Sequence, residues 1–415
     1  VGKAGMEQHY ETYLRGKNGE QKFYIDNVGR ISEIISSTDS VAGDDLYLSI
    51  DADLQKATYL ALQNEIAAIV YSNIKSGEIP INDVYTALIG NSVINTEHFS
   101  KAKASDTEKN VLSVFKSRQK TTLGKIKQEL TSSPEALNTM SDEVLDEFTY
   151  IISMLKDDQV LLKNEIDTSD SVYQKWKNQK ISPKEYLSYC ITQHWIDISQ
   201  LNVDEKYADS TEVYDALCKY ILKNIKTDTE FSKIIYQYMI TRGEISPRQL
   251  CLILFDQGVL DYDDATVNKL KNGSLSPRDF LMKKIYNIEI TPAQLALEPC
   301  IGSCVVTDEK TGEILAMVSY PGYDSNKLAN GVDSEYFASL QHDKSSPLLN
   351  YATQQKTAPG STFKLVSATA GLAENVITTS DQIRCTGIYN DISNKPKCWI
   401  YPGSHGLDNV SEAIR

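Results

Sequence analysis

One short stretch of the sequence places a nucleophile beside a base: Ser361 is followed three positions later by Lys364. Gly360 permits a tight turn, and the small and apolar residues from Leu365 to Ala373 predict a buried helix that begins at or near the serine. Residues three apart share a helix face, so the lysine amine can reach the serine hydroxyl. A lysine activates a serine in this way when burial or a nearby positive charge lowers its pKa. The stretch therefore predicts acyl transfer through a serine, with Ser361 as nucleophile and Lys364 as general base.

The alternative is structural, because a serine at a helix start is often an ordinary N-cap. The surrounding residues favour catalysis. Ser-x-x-Lys is the first of three motifs in penicillin-binding proteins and class A β-lactamases. Pro-Gly-Ser-Thr-Phe-Lys, preceded by Pro347-Leu348-Leu349-Asn350, resembles the nucleophile segment of class B penicillin-binding proteins, the transpeptidases that cross-link bacterial peptidoglycan. The resemblance implies an α+β fold whose catalytic domain is of the α/β/α kind shared with serine β-lactamases, with the Ser361 N–H in the oxyanion hole.

The composition is that of a globular protein and argues against some classes of binding partner. A chain of 415 residues should form two or three domains, and 41% apolar with 24% charged residues is ordinary for a globular protein. The net charge of −14 argues against a nucleic-acid partner and a polybasic membrane patch. The sequence holds no run of eighteen apolar residues.

The cysteines and histidines predict neither a disulfide scaffold nor a metal centre. Seven cysteines are too few for a disulfide-built fold of this length. Cys385 and Cys398 could meet across a small hairpin, but the odd total leaves at least one free thiol. No metal-ligand spacing occurs among the five histidines and seven cysteines, so we expect no bound metal and no cofactor.

The first 43 residues resemble the end of the non-catalytic, dimerisation-type pedestal of class B penicillin-binding proteins. The resemblance rests on Gly2-Lys3-Ala4-Gly5-Met6-Glu7 and on Leu14-Arg15-Gly16 followed by Gly19. Without it, the same residues would be a glycine-rich loop beside an amphipathic helix. Family members carry a membrane anchor upstream, which implies a location at the extracytoplasmic face of the bacterial membrane and a chain truncated at its beginning.

Residues 44–71 are predicted to open the transpeptidase domain with a strand and a helix. Leu46, Leu48 and Ile50 alternate with polar residues, which is typical of a strand. Asp51 or Asp53 can cap the helix that follows. The segment Leu48-Ser-Ile-Asp-Ala-Asp-Leu-Gln55 resembles the beginning of the family's catalytic domain and is expected to be scaffold.

Residues 72–298 lack the resemblance and are predicted to be an α-helical insertion. Amphipathic stretches run over 111–130, 141–155, 213–225 and 231–240, and Ser-Pro or Thr-Pro pairs predict helix starts. These pairs are Ser133-Pro134, Ser182-Pro183, Ser246-Pro247, Ser276-Pro277 and Thr291-Pro292. Three share an Ile/Leu-Ser-Pro-basic pattern, at Ile181, Ile245 and Leu275, but the unequal intervals favour common capping chemistry over an internal repeat. A solvated surface or a docking module for a cell-wall partner both fit this region.

Residues 299–415 are predicted to form the first half of the catalytic core. Two apolar strands flank a turn at Glu309-Lys310-Thr311-Gly312 and predict an antiparallel hairpin. The hairpin and the segments Cys385-Thr386-Gly387 and His405-Gly406 resemble the family pattern, with Asn350-Tyr351-Ala352 standing where the family usually has Asn-Arg-Ala. For His405, a structural loop histidine is favoured over a general base.

The resemblance implies a D,D-transpeptidase that takes peptidoglycan stem peptides ending in D-Ala-D-Ala and is acylated by β-lactams at Ser361. A cell-wall polymerase or another division or elongation protein could bind the pedestal or the insertion. In the family, a Ser-x-Asn motif and a Lys-Thr-Gly strand follow the nucleophile, and neither occurs between Ser361 and Arg415; the Lys310-Thr311-Gly312 of the hairpin turn precedes the serine. We therefore expect this chain by itself to be inactive, since one missing oxyanion donor costs about two to three powers of ten in rate. A serine β-lactamase, a β-lactam sensor and an inactive scaffold remain alternatives.

Overall fold

The computed structural model describes residues 2, 5–132, 135–201, 203, 209–329 and 331–414. The chain forms two compact units, Val1–Thr353 and Gln354–Arg415. Helices dominate the first unit, and each of the three sheets in the described residues has two strands. The predicted α+β class is confirmed by these elements together with the family relationships given below.

The first unit begins with two short helices and a hairpin. Helices α1 (Gly5–His9) and α2 (Glu11–Leu14) precede strands β1 (Glu20–Ile25) and β2 (Ile31–Thr38), which pair antiparallel. Every residue of both strands is exposed, so the hairpin is held by its own ladder rather than by a core.

The strand predicted over Leu46, Leu48 and Ile50 is wrong. The segment is irregular, although it does run along strand β4 (Ile314–Tyr320). Ser49 Oγ donates to the Ile314 carbonyl at 2.7 Å, and the Asp51 N–H donates to the Leu315 carbonyl at 2.9 Å. These two contacts do not extend into a ladder, because Asp51 is already the N-cap of the next helix.

That helix, α3 (Ala52–Ser76), connects the segment around β4, in the predicted catalytic part (residues 299–415), with the predicted insertion (residues 72–298). Asp51 caps it by accepting from the Leu54 N–H, as predicted. Its first half packs on β4, where the Gln55 side-chain amide donates to the Met317 carbonyl and accepts from the Met317 N–H, both at 2.7 Å. Its second half buries Ile66, Val70 and Ile74. One helix therefore belongs to both parts of the unit.

Residues 72–298, the predicted insertion, are helical as expected, and one large hydrophobic core runs from Val70 to Leu295. Phe115 and Tyr236 stack within it at a centroid distance of 4.1 Å. Its helices are α4 (Ile81–Gly90), α5 (Asp106–Thr131), α6 (Asp142–Asp157), α7 (Ser171–Lys177), α8 (Pro183–Thr192), α9 (Ser210–Ile225), α10 (Thr229–Thr241), α11 (Pro247–Asp256), α12 (Asp264–Asn272), α13 (Pro277–Tyr286) and α14 (Pro292–Leu295).

Four of the predicted capping pairs begin helices, and Ser133-Pro134 lies outside the described residues. The serine or threonine of each pair accepts from a backbone N–H of the first turn, and proline takes the first helical position. The joints before these four helices are alike. A left-handed residue stands three positions before each cap, at Gln179, Gly243, Gly273 and Ile288. The shared sequence pattern thus corresponds to a shared helix–turn–helix joint.

The predicted hairpin of the catalytic part is confirmed. Strand β3 (Gly302–Thr307) pairs antiparallel with β4, and the turn between them contains Gly312 in the left-handed region at φ 75°. The loop after β4 leads to α15 (Ser334–His342) and α16 (Tyr351–Gln354). Tyr351 is buried, and its hydroxyl donates to the Ser345 carbonyl at 2.7 Å.

The second unit contains the predicted catalytic pair. Its elements are α17 (Phe363–Ala373), the short strands β5 (Ile383–Cys385) and β6 (Gly406–Asp408), and α18 (Val410–Ile414). Strands β5 and β6 pair antiparallel, with Cys385 opposite Gly406.

Candidate functional site

Ser361 lies in a single 3-10 turn, Gly360–Thr362, that continues directly into α17. Gly360 has φ 58°, the left-handed conformation that glycine adopts at least cost, and the Phe363 N–H is bonded to the carbonyls of Gly360 and Ser361. Lys364 is therefore one turn beyond Ser361 along a continuous helical path. The prediction that a helix begins at or near the serine is confirmed.

The prediction that this helix is buried is wrong. No residue of α17 is buried, and Phe363, Leu365 and Val366 are 52%, 59% and 54% exposed. Strands β5 and β6 have three residues each, too few to supply a sheet face that could cover an 11-residue helix. Ser361 and Lys364 are both exposed, and among the described residues no hydrogen bond joins them. The pair is thus on an open surface rather than in an enclosed site.

A second group of reactive side chains, formed by Cys385, Cys398 and His405, lies in the same unit. The His405 Nδ1 atom is 3.7 Å from the Cys385 sulfur and 3.4 Å from the Cys398 sulfur. One ligand atom from each residue lies within 4.8 Å of the other two. Both cysteines are free thiols, so the pairing considered from the sequence is not formed.

The backbone around Cys385 favours its thiolate. The His405 N–H, followed by the Gly387 N–H and the His405 ring, lowers the pKa of the Cys385 thiol to about 7. Two sulfurs and an imidazole nitrogen are donors that Zn²⁺ prefers, and zinc sites with three protein ligands are common. The cluster therefore fits a zinc ion, against the expectation of no metal site.

The sequence analysis missed this cluster because its spacing matches no compact metal motif. Pairing of β5 with β6 brings the cysteine at the end of one strand to the histidine that precedes the other. The available signal was the position of Cys385 and Cys398 across a possible hairpin, combined with His405 a few residues later.

The second unit also contains a pocket of about 260 Å³ that is separate from the predicted catalytic pair. Its walls come from the segments 377–385 and 408–413, and neither Ser361 nor Lys364 lines it. The Ser361 region therefore consists of a helix start with exposed side chains outside that pocket.

Two families match this chain. The penicillin-binding protein transpeptidase domain matches residues 302–415, and the penicillin-binding protein dimerisation domain matches residues 1–48. The first match contains Ser361, Lys364 and the cysteine–histidine cluster. The residues between the two matches include the helical insertion.

The curated relatives agree with these domains. The peptidoglycan D,D-transpeptidase MrdA of Escherichia coli is 40% identical over 121 residues, which are 26% of this chain and 18% of that protein. The peptidoglycan D,D-transpeptidase PbpA of Mycolicibacterium smegmatis is 46% identical over 77 residues, covering 18% of this chain and 16% of the relative. The matched part thus spans less than a fifth of the length of these relatives.

Among solved structures, a penicillin-binding protein from Helicobacter pylori is 30% identical over 30% of this chain and 23% of its own, with a TM-score of 0.26. The two matches make this chain similar to penicillin-binding proteins that have a transpeptidase domain. Together with the curated relatives, they support a class B penicillin-binding protein of the peptidoglycan D,D-transpeptidase type.

Proposed function

We propose that the protein cross-links peptidoglycan stem peptides through a serine acyl-enzyme, with Ser361 as nucleophile and Lys364 as general base. The observation that carries the proposal is the position of Ser361 in the turn that opens α17, one helical turn before Lys364, inside the segment that matches the transpeptidase domain. The names of the relatives, peptidoglycan D,D-transpeptidases, support the same substrate class.

In the proposed reaction, the Ser361 Oγ attacks the carbonyl carbon of the penultimate D-Ala while its proton passes to the Lys364 Nζ. The bond to the terminal D-Ala breaks, and that residue leaves as an amine after taking up the proton. An amine of a neighbouring stem peptide then attacks the acyl ester. The ester bond breaks, a proton released by the attacking amine passes through the Lys364 Nζ to the Ser361 oxygen, and the cross-link is complete.

The Ser361 N–H is the oxyanion donor that the proposal assigns to this chain. Backbone N–H groups at a helix start can stabilise the negative charge that develops on the carbonyl oxygen. Because Ser361 and Lys364 are exposed, we expect this chain to react with a β-lactam slowly, at least about a hundredfold below the rate of an enclosed Ser-Lys site with two oxyanion donors.

The test is acylation by a fluorescent penicillin, followed by denaturing gel electrophoresis. Full-length protein should be labelled, and Ser361→Ala should abolish labelling because the acylated oxygen is gone. Lys364→Ala should slow labelling by at least about a hundredfold, since general-base catalysis typically contributes two to four powers of ten. Ser367→Ala, an exposed serine on α17, is the matched control and should be labelled normally.

Labelling that survives Ser361→Ala would refute the proposed nucleophile. Rapid release of hydrolysed penicillin would identify a β-lactamase instead.

No helix in the described ranges is long and apolar enough to span a membrane. We propose the extracytoplasmic face of the bacterial membrane as the protein's location, with cell-wall proteins as partners of the predicted pedestal or insertion, because relatives are named peptidoglycan D,D-transpeptidases.

A further inference from the structure

A groove with unpaired positive charge lies between the second half of α3 and helix α13. Its volume is about 340 Å³, and its lining includes Tyr71, Lys75, Arg278, Lys283 and Tyr286. The groove is inside the first unit and uses none of the residues assigned to acyl transfer. It stands out because the protein as a whole carries a net charge of −14.

The cations of the groove lack carboxylate partners. Among the described residues, Lys75, Arg278 and Lys283 take part in no ion pair, whereas the adjacent Lys284 is paired with Glu289. The Arg278 guanidinium makes one long contact, 3.4 Å to the Ile74 carbonyl at the end of α3. The single acid in the lining, Asp279, accepts a hydrogen bond from Ser276 Oγ at 2.8 Å. The lining therefore has three exposed cations and one carboxylate, and its charge is net positive.

Two tyrosine rings provide an apolar surface beside these cations. The rings of Tyr71 and Tyr286 have centroids 5.1 Å apart and are tilted by 60°. Tyr71 is partly buried, while Tyr286 is 60% exposed at the last position of α13. Tyrosine and arginine are enriched at protein–protein contacts because they combine a large apolar area with a polar end. The groove can thus hold an apolar side chain and an anionic group together.

The backbone of the groove favours a carboxylate over a compact phosphate. Phosphate sites typically use free N–H groups at a helix start. At the start of α13, Pro277 has no N–H, and the Asp279 N–H is taken by Ser276 Oγ at 3.0 Å. The remaining donors are long, flexible side chains, which suit several separated carboxylates.

We propose that this groove binds an acidic, aromatic-containing peptide segment of a protein partner. Carboxylates of the segment contact Lys75, Arg278 and Lys283, and its aromatic side chain packs on Tyr286. The helix that forms one wall, α3, also holds Met317 of β4 through Gln55, so the groove is on an element shared with the catalytic part of the unit.

The test is fluorescence anisotropy with the 415-residue chain and a fluorescein-labelled peptide of sequence Gly-Asp-Glu-Tyr-Asp-Glu-Phe-Asp-Gly. We expect saturable binding that weakens as NaCl is raised, because salt screens exposed charges. The double variant Lys75→Glu/Lys283→Glu should weaken binding at least tenfold. The matched control, Lys269→Glu/Lys271→Glu on α12, makes the same change in net charge at exposed positions and should leave affinity unchanged.

A second pair of variants tests the aromatic surface. It keeps the proposal testable if the double charge-reversal variant does not fold. Tyr286→Ala should weaken binding at least fivefold, whereas Tyr262→Ala, which removes a tyrosine of 61% exposure elsewhere, should not. Circular dichroism verifies that each variant is folded. Absence of peptide binding at 1 mM, or equal loss in the control variants, would overturn the proposal. So would full competition by inorganic phosphate at equal ionic strength, or binding to purified peptidoglycan that depends on Lys75 and Lys283 without any peptide binding.

Discussion

At the scale of single residues, the cluster of Cys385, Cys398 and His405 can exist in two chemically distinct states. Two thiolates and an imidazole can share a zinc ion, or the two sulfurs can oxidise to a disulfide. The low pKa of the Cys385 thiol, about 7, favours deprotonation at neutral pH, which metal binding requires. The His405 ring contacts both sulfurs and would have no such role in a simple disulfide.

We therefore predict that the reduced protein binds one zinc ion at this cluster. After removal of metal with EDTA and addition of ZnCl₂, elemental analysis should find one zinc per chain. Cys398→Ser should weaken zinc affinity by at least about tenfold, because even the loss of a supporting residue around a metal costs that much.

Cys304→Ser is the control, because Cys304 is a partly exposed cysteine on β3, outside the cluster. It should bind zinc as the unmodified chain does. A thiol titration in denaturant distinguishes the reduced cluster from a disulfide between Cys385 and Cys398. Seven reactive thiols agree with the reduced state. Five thiols without zinc uptake would establish a disulfide instead.

A buried carboxyl group in the insertion makes stability depend on pH. Glu147 on α6 is 2% exposed, and its Oε2 atom has no hydrogen-bond partner in the described part of the chain. Burial, with the neighbouring Glu143 carboxylate, raises the pKa of Glu147 to about 8, although Lys125 and Arg118 oppose the shift. Glu143 is itself paired with Arg118 and Arg242.

The sign of the effect follows from the two pKa values. Between the ordinary value of 4.5 and about 8, the folded protein keeps a proton that the unfolded chain has lost. The free energy of unfolding should therefore fall as pH rises through this range, by about 1.4 kcal/mol per pH unit, and level off above it. Glu147→Gln, which stays neutral, should remove this slope when urea unfolding of the helical signal is measured from pH 5 to 9.

Glu65→Gln on α3 is the matched control, because Glu65 is exposed. It should leave the pH dependence intact. If Glu147→Gln retained the whole slope, another group would be its source and the assignment to Glu147 would be wrong.

At the scale of elements, local chemistry predicted helix starts well. A serine or threonine before proline satisfies a free N–H of the first turn and fixes the backbone there, and both effects act within a few residues. Ser182, Ser246, Ser276 and Thr291 therefore begin helices where the sequence placed them. The hairpin of β3 and β4 was predictable for the same reason, since its turn is coded by adjacent residues ending in Gly312.

Features that depend on distant partners were not predictable in this way. The alternation at Leu46, Leu48 and Ile50 indicated a strand, but a strand requires a continuous ladder and this segment makes isolated contacts to β4. The apolar residues of α17 indicated burial, yet burial requires a covering surface that residues 354–414 do not provide. The zinc-type cluster needs the pairing of β5 with β6, which no spacing rule encodes. The roles of Ser361 and Lys364 stay predictions that the labelling experiment tests.

At the scale of the whole molecule, buried apolar area is distributed unevenly between the two units. The insertion of the first unit contains the continuous core from Val70 to Leu295, including fully buried Phe148, Phe231 and Tyr186. In the second unit, α17 and α18 contain no buried residue. Hydrophobic burial is the main favourable contribution to folding, so the free energy that opposes local opening should differ strongly between the units.

Hydrogen exchange followed by mass spectrometry measures this difference in the 415-residue chain. Amides of α10, which buries Phe231, Ile235 and Met239, should exchange at least about a hundredfold more slowly than amides of α17, because opening α10 requires opening the core. The surface hairpin of β1 and β2 is the internal reference: its hydrogen bonds are intact but its side chains are exposed, so it should exchange at rates near those of α17. Protection of α17 equal to that of α10 would mean that α17 is covered in solution, and its exposed apolar residues would then have a partner surface.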